Sequence, residues 1–343
     1  VTSLLSVILQ RKTRLLPVFL FLCINGFGQL AGQQDWEFEH IRLNYKQDSI
    51  DVLMVSKKGQ ELDAKPLLFF CQGSLPVPLI ITEGGTTYPP FPFDTRKLCE
   101  RYHLVIVGKP GIPLRAESTR LQADFSYLED STSLPPLHYS KNNYLEYYVD
   151  RNLFVIDYLL NQRYVDRTTV IAAGHSQGAR VAFEMALKSK DITHLIYASG
   201  NPCGQIMSMV SRSRQRESPF DSTVSAENDF RLYEAMIADS SDDSMYNDDS
   251  FKSIYSFSKS SLNTFQNLDI PVLVCYGTFD SAAPFNDLLR AEMIRMKKKN
   301  ITFKAYIGLD HNYFGRKETG ETDYGNFNWD KVADDWLNWI HSR

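Results

Sequence analysis

The residues best able to do chemistry are Gly174-His175-Ser176-Gln177-Gly178. A serine hydroxyl is a weak nucleophile until a base takes its proton and a third group orients that base. The G-x-S-x-G spacing alone recurs by chance in roughly one chain in ten to fifteen of this composition, so its surroundings decide its meaning. Here an apolar run over 168–173 leads straight into it, and an amphipathic stretch over 177–190 follows. A serine on a sharp strand-to-helix turn is held in strained backbone geometry, with its hydroxyl above the sheet. Strand and helix approach closely there, which demands small residues two before and two after; Gly174 and Gly178 supply them. The turn also puts Ser176 at a helix N-terminus, where unpaired N–H groups favour negative charge, so the Gln177 amide is the expected first oxyanion donor.

A base and an acid are then needed. Asp280 closes the apolar run 272–280 and His311 closes 303–311, each at the carboxyl end of a strand-like segment. In open parallel sheets that rim is where ligands bind, so Ser176, Asp280 and His311 are expected to converge there. Other candidates are worse placed. His175 is locked into the turn beside the serine, His194 begins a strand, and His341 lies near the C-terminus. Asp310 is adjacent to His311, Asp287 falls inside a helical pattern, and no carboxylate immediately follows the 194–198 run. The second oxyanion donor is expected after an earlier strand, at Gln72-Gly73-Ser74, through the Ser74 amide with Gln72 in support.

The elements that must position these groups read as an alternation. Residues 37–45 and 49–56 alternate polar and apolar, as an antiparallel strand pair does. Six short, nearly continuous apolar runs follow, at 66–71, 104–108, 168–173, 194–198, 271–276 and 301–307, as expected of strands covered on both faces. Helical patterns occupy 144–160, 177–190, 285–299 and 329–340. The expected fold class is α/β, one domain with a mainly parallel central sheet and helices on both faces. Two stretches break the alternation: 110–140, rich in Pro and Gly, and 201–266, polar and acidic, the length of an inserted cap. Aromatic residues near the presumed crevice (Phe125, Tyr127, Tyr139, Phe279, Phe285 and Tyr313) suggest an apolar pocket.

Composition bounds the rest. The chain has 343 residues, 43% hydrophobic and 23% charged, with a net charge of −4, so it can bury a full core and has no basic excess to recommend nucleic acid. Arg11, Lys12 and Arg14 precede an apolar run over 15–24 and a zone of small residues, the order of a secretory signal. The expectation is a signal peptide at 1–32, a mature domain at 33–343 without an integral membrane segment, and export to the periplasm or outside the cell. Export implies an oxidising compartment, yet Cys71, Cys99 and Cys275 sit in apolar or helix-like runs and read as buried thiols; a Cys99–Cys203 bridge is left open.

Taken together, Gly174-His-Ser-Gln-Gly178, Asp280 and His311 give a chain that resembles the α/β-hydrolase superfamily over about 36–340. Gln72-Gly73-Ser74 is similar to the His-Gly-x oxyanion loop of that superfamily, with Gln in place of the usual His. The 201–266 insertion falls between the sixth and seventh central strands, where the superfamily commonly carries its cap. The resemblance implies a serine hydrolase acting on an ester, amide or thioester through an acyl-enzyme, with neither metal nor organic cofactor required. A small-molecule or peptide acyl substrate follows from it, with a secreted peptidase as the second reading. The third is a non-catalytic binding protein on the same scaffold, which need not keep Ser, Asp and His together.

Overall fold

The computed structural model describes residues 36–220, 224–240, 245–246 and 249–342; the expected leader at 1–32 lies outside the described residues. Strands of the central sheet, numbered in chain order, are β1 (Trp36–Tyr45), β2 (Asp48–Lys57), β3 (Lys65–Cys71), β4 (His103–Val107), β5 (Val165–His175), β6 (His194–Ala198), β7 (Val272–Gly277) and β8 (Ile301–Tyr306). They lie in the order β1-β2-β4-β3-β5-β6-β7-β8. β2 pairs antiparallel with both β1 and β4, and every other pairing is parallel.

The near-continuous apolar runs have a simple cause. Side chains alternate across a strand, so each run splits between two cores. Leu67, Phe69 and Cys71 of β3 point to one face with Val105, Val170, Ala172, Leu195 and Val274. Leu68 and Phe70 point to the other with Leu104, Ile106, Ile171, Ile196 and Cys275. The first face is covered by helices α1 (Leu145–Leu160), α2 (Gln177–Lys188) and α6 (Ala283–Arg295), the second by α7 (Trp329–His341). Trp336 of α7 is fully buried against Phe70 and Phe93, and truncating such a residue to alanine costs about 3–5 kcal/mol.

A buried ion pair ties α1 to the sheet. Arg151, 2% exposed, donates to Asp48 (2.8 Å) and to the Gly108 carbonyl (2.7 Å), while Tyr147 adds a hydrogen bond to Asp48. Removing either partner would leave a buried charge unpaired, at a cost of about 3–5 kcal/mol.

Between β6 and β7 the chain leaves the sheet and forms α3 (Gln205–Arg216), α4 (Ala226–Ala238) and α5 (Phe251–Ser258). Among the described residues these helices share two small apolar clusters, Ile206/Val210/Ala226 and Leu232/Met236/Ile254. Side-chain hydroxyls do much of the joining: Ser256 Oγ accepts from the Leu145 amide and Ser258 Oγ from the Ile206 amide. Two small additions escape sequence patterning. Ile80–Glu83, Thr86–Tyr88 and Arg115–Glu117 form a three-stranded sheet, and Phe314–Arg316 pairs with Thr322–Phe327. Cys71, Cys99, Cys203 and Cys275 are all free thiols, so the Cys99–Cys203 bridge does not form; Cys99 is buried and Cys203 half-buried. Among the described residues no helix is long and apolar enough to cross a membrane.

Candidate active site

Ser176 has φ 58° and ψ −120°, a left-handed conformation that a residue with a Cβ adopts only under constraint. The constraint is steric and comes from three chain segments meeting. A Cβ on Gly174 would lie 2.1 Å from the Gly178 carbonyl oxygen, and one on Gly178 would lie 2.0 Å from the Cys71 oxygen. Only hydrogen fits at either position, so β5, the start of α2 and the end of β3 press together around the serine. The Ser176 amide donates to the Ala198 carbonyl of β6 (2.9 Å), which fixes the turn from the other side.

Asp280 and His311 arrive from the next two strand ends. Gly277 permits this, because a Cβ there would meet the Leu309 oxygen at 2.3 Å. The two loops are laced by the Thr278 amide to Tyr306 and the Phe279 amide to Leu309. Asp280 Oδ1 accepts from the Ala282 amide, while Oδ2 lies 2.8 Å from His311 Nδ1. His311 Nε2 in turn lies 2.9 Å from Ser176 Oγ. The three expected residues are therefore in one continuous hydrogen-bonded chain. Asp280 is buried, whereas the His311 side chain is 41% exposed and open to a ligand.

Electrostatics follow from that arrangement. Burial works to lower the His311 pKa, but the Asp280 charge and hydrogen bond outweigh it and raise the imidazole above its ordinary value. Burial likewise favours a protonated Asp280, and the His311 charge, their hydrogen bond and the Ala282 amide together reverse it, holding the carboxyl below its usual range.

The oxyanion side is adjacent. A Cβ on Gly73 would be 3.9 Å from Ser176 Cβ, so the 72–74 turn rests on the nucleophile. Gln72 donates to the Val107 carbonyl (2.8 Å) and Tyr139 to the Ser74 carbonyl (2.7 Å), which stiffens the turn from both ends. Among the described residues, neither the Ser74 nor the Gln177 amide has a protein acceptor.

Sequence reasoning passed over two residues here. His175, set aside as a base, donates from Nε2 to the His311 carbonyl (2.8 Å) and packs its ring between His311 and Trp329. Burial, then the His311 charge, pushes its pKa down to about 3, so it is a neutral prop. Lys109 is 6% exposed and places its ammonium 3.4 Å from Gln177 Oε1 and over the Tyr148 ring. Burial drives its pKa down to about 7. Among the described residues Gln177 Nε2 is buried without a partner, and Lys109 itself lines a cavity of about 20 Å³ with Gln72, Tyr148 and Arg151, room for about one water. The available signal was a lysine closing an apolar strand on the same rim as the serine. Three of the expected pocket aromatics serve elsewhere: Tyr313 is core packing under His175, Tyr139 is a buried strut, and Phe279 is half-exposed beneath Arg316. Among the described residues no group of His, Cys, Asp and Glu is placed to hold a metal.

No family model and no curated protein matches the chain. Solved structures do. One from work on two Rhizomucor miehei esterases aligns with a TM-score of 0.53 at 15% identity, over 97% of this chain and 92% of that one. Porphyromonas gingivalis dipeptidyl peptidase 4 aligns at 0.54 and 15%, over 92% and 37%. Pyrococcus horikoshii acylaminoacyl peptidase aligns at 0.50 and 15%, over 82% and 39%. The chain thus spans under two fifths of either peptidase. At such identities the likeness is one of fold.

Proposed function

From the α/β-hydrolase fold of this chain, we propose that it is a serine hydrolase that cleaves an ester through an acyl-enzyme. The observation that carries this is the Asp280–His311–Ser176 chain, with links of 2.8 and 2.9 Å, on a serine held at positive φ. Neutral His311 takes the Ser176 proton at Nε2 as Oγ attacks the carbonyl carbon, and Asp280 stabilises the imidazolium at Nδ1. Negative charge developing on the carbonyl oxygen is met by the Gln177 and Ser74 amides. His311 returns the proton to the leaving group; water, deprotonated by the same nitrogen, then attacks the acyl carbon, and His311 gives that proton to Ser176 Oγ as the acyl group departs.

The test is labelling with a fluorophosphonate. One adduct per chain, located by peptide mass on Ser176 and absent from Ser176→Ala, is the expected result; an unlabelled wild-type protein would overturn the enzyme reading in favour of a binding scaffold. Two of the similar structures are peptidases, so p-nitrophenyl esters are to be compared with aminoacyl p-nitroanilides, and faster acylation by the esters is expected. Export of the chain is part of the proposal and rests on the charge and apolar order of residues 11–32. N-terminal sequencing of protein recovered outside the cytoplasm should begin near residue 33.

A further inference from the structure

Helix α3 lies against the loop that carries Asp280. Ser211 Oγ on this helix donates to the carbonyl of Ser281 (3.1 Å), the residue after Asp280, so the helix rests on the acid loop. The next residue is Arg212. Other arginines of α3 are engaged: Arg214 pairs with Glu217 and Glu227, and Arg216 donates to the Arg212 carbonyl. The Arg212 guanidinium has neither an ion pair nor a hydrogen bond among the described residues. Arg212 is exposed at the surface of α3; partial burial of its guanidinium first and Arg216 second lower its pKa, against opposing pulls from Asp280 and Asp229. Neither carboxylate neutralises it at close range. Asp280 is committed to His311 and Ala282, and Asp229 keeps a buried oxygen without a partner. Lys109 likewise lacks a carboxylate within ion-pair distance among the described residues. Among the described residues Arg212 therefore has no close counter-ion, whereas Lys109, its pKa lowered by burial to about 7, is only partly charged at neutral pH.

A guanidinium kept unpaired beside a reactive centre is suited to a planar anion of the ligand, because five N–H donors in a fixed fork match a carboxylate. Which half of the substrate it meets follows from the base. His311 must hand its proton to the leaving group, so the leaving group lies on the histidine side, and the Arg212 charge is felt at His311 and Asp280. Building on the serine-hydrolase reading, we propose that Arg212 is a specificity-determining residue that binds a carboxylate on the leaving group. The preferred substrate class is then an ester of a hydroxy acid.

The experiment compares 4-butyryloxybenzoic acid with its methyl ester by release of the phenol. Wild-type protein should favour the acid at least tenfold in kcat/KM, mostly through KM. Arg212→Met should lose roughly that factor on the acid and less than twofold on the methyl ester, and Arg212→Lys should retain part of the preference. Equal rates for the two esters, or a preference unchanged in Arg212→Met, would overturn the assignment. Calorimetry on Ser176→Ala protein with 4-hydroxybenzoate and its methyl ester removes the dependence on turnover. Binding of the acid that disappears in Ser176→Ala/Arg212→Met supports the anchor even if the nucleophile reading fails, and binding indifferent to charge refutes the anchor even if fluorophosphonate labels Ser176.

Discussion

The nucleophile turn and the α3–α5 insertion are built on opposite principles. At the turn, backbone meets backbone so closely that hydrogen is the only side chain admitted at residues 174 and 178. In the insertion, three helices share two clusters of three buried residues each and lean on serine hydroxyls. Dense packing defines one geometry, whereas sparse packing leaves room for alternatives. Bond-making groups therefore sit in the first region, and the unpaired Arg212 sits in the second. Chemistry and selectivity should be separable by mutation.

The largest separation is expected from Ser176→Ala. Turnover of any ester should fall by about 10⁴ to 10⁶, with the melting temperature unchanged or raised, since alanine retains the fold and loses only the hydroxyl. Retention of near wild-type turnover would end the assignment of the nucleophile. Next is the same steric insult delivered to each region. Gly178→Ala drives a Cβ to 2.0 Å from the Cys71 oxygen; Gly204→Ala drives one to 2.2 Å from the Ser258 oxygen, at φ +91°. The first should destabilise the protein by about 3 kcal/mol or more and abolish hydrolysis with it. The second should leave hydrolysis of a small neutral ester within a few-fold of wild type while erasing the preference for an anionic leaving group. Thermal melts and kcat/KM on both esters read this directly, and equal damage from the two variants would collapse the distinction.

An intermediate effect concerns pH. His311 works as a neutral base, and Asp280 raises its pKa, so kcat/KM should fall as pH drops through a value above the ordinary 6.5. Arg212 opposes that rise with its positive charge. Arg212→Met should therefore move the acid limb to higher pH, and Asp280→Asn should move the limb of its residual activity, lower by about 10³ to 10⁴, to lower pH. A limb that stays fixed in both variants would remove His311 as its source.

How far the sequence carries the structure depends on which contacts do the work. The β3 to β8 runs were readable because burial on both faces makes strands continuously apolar, and the glycines at 174 and 178 because a close crossing has a steric signature. Asp280 and His311 were readable because strand ends share a rim. By contrast, α3–α5 bury little and pattern weakly, so 201–266 read as an insertion without its helices. Lys109 matters through a 3.4 Å approach across the sheet edge, a distance that no local spacing encodes. Tyr313 was misplaced in the expected pocket because the same ring chemistry serves core and crevice alike, and it went to the core.

The smallest effect is the one that tests whether the dense region extends past the three reacting side chains. His175 holds the His311 carbonyl with one N–H at 2.8 Å and touches no reacting atom. His175→Phe fills the space but leaves that carbonyl without its donor, which frees the loop carrying the base. We expect kcat to fall about three- to tenfold, within the worth of one hydrogen bond, with KM nearly constant. His175→Gln keeps an N–H donor and should recover most of the loss. Because the His175 pKa lies near 3, neither variant should add or remove a limb in the pH profile between pH 5 and 9. A lost limb would make His175 a titrating participant, and equal loss in both variants would mean that its ring, not its N–H, positions His311.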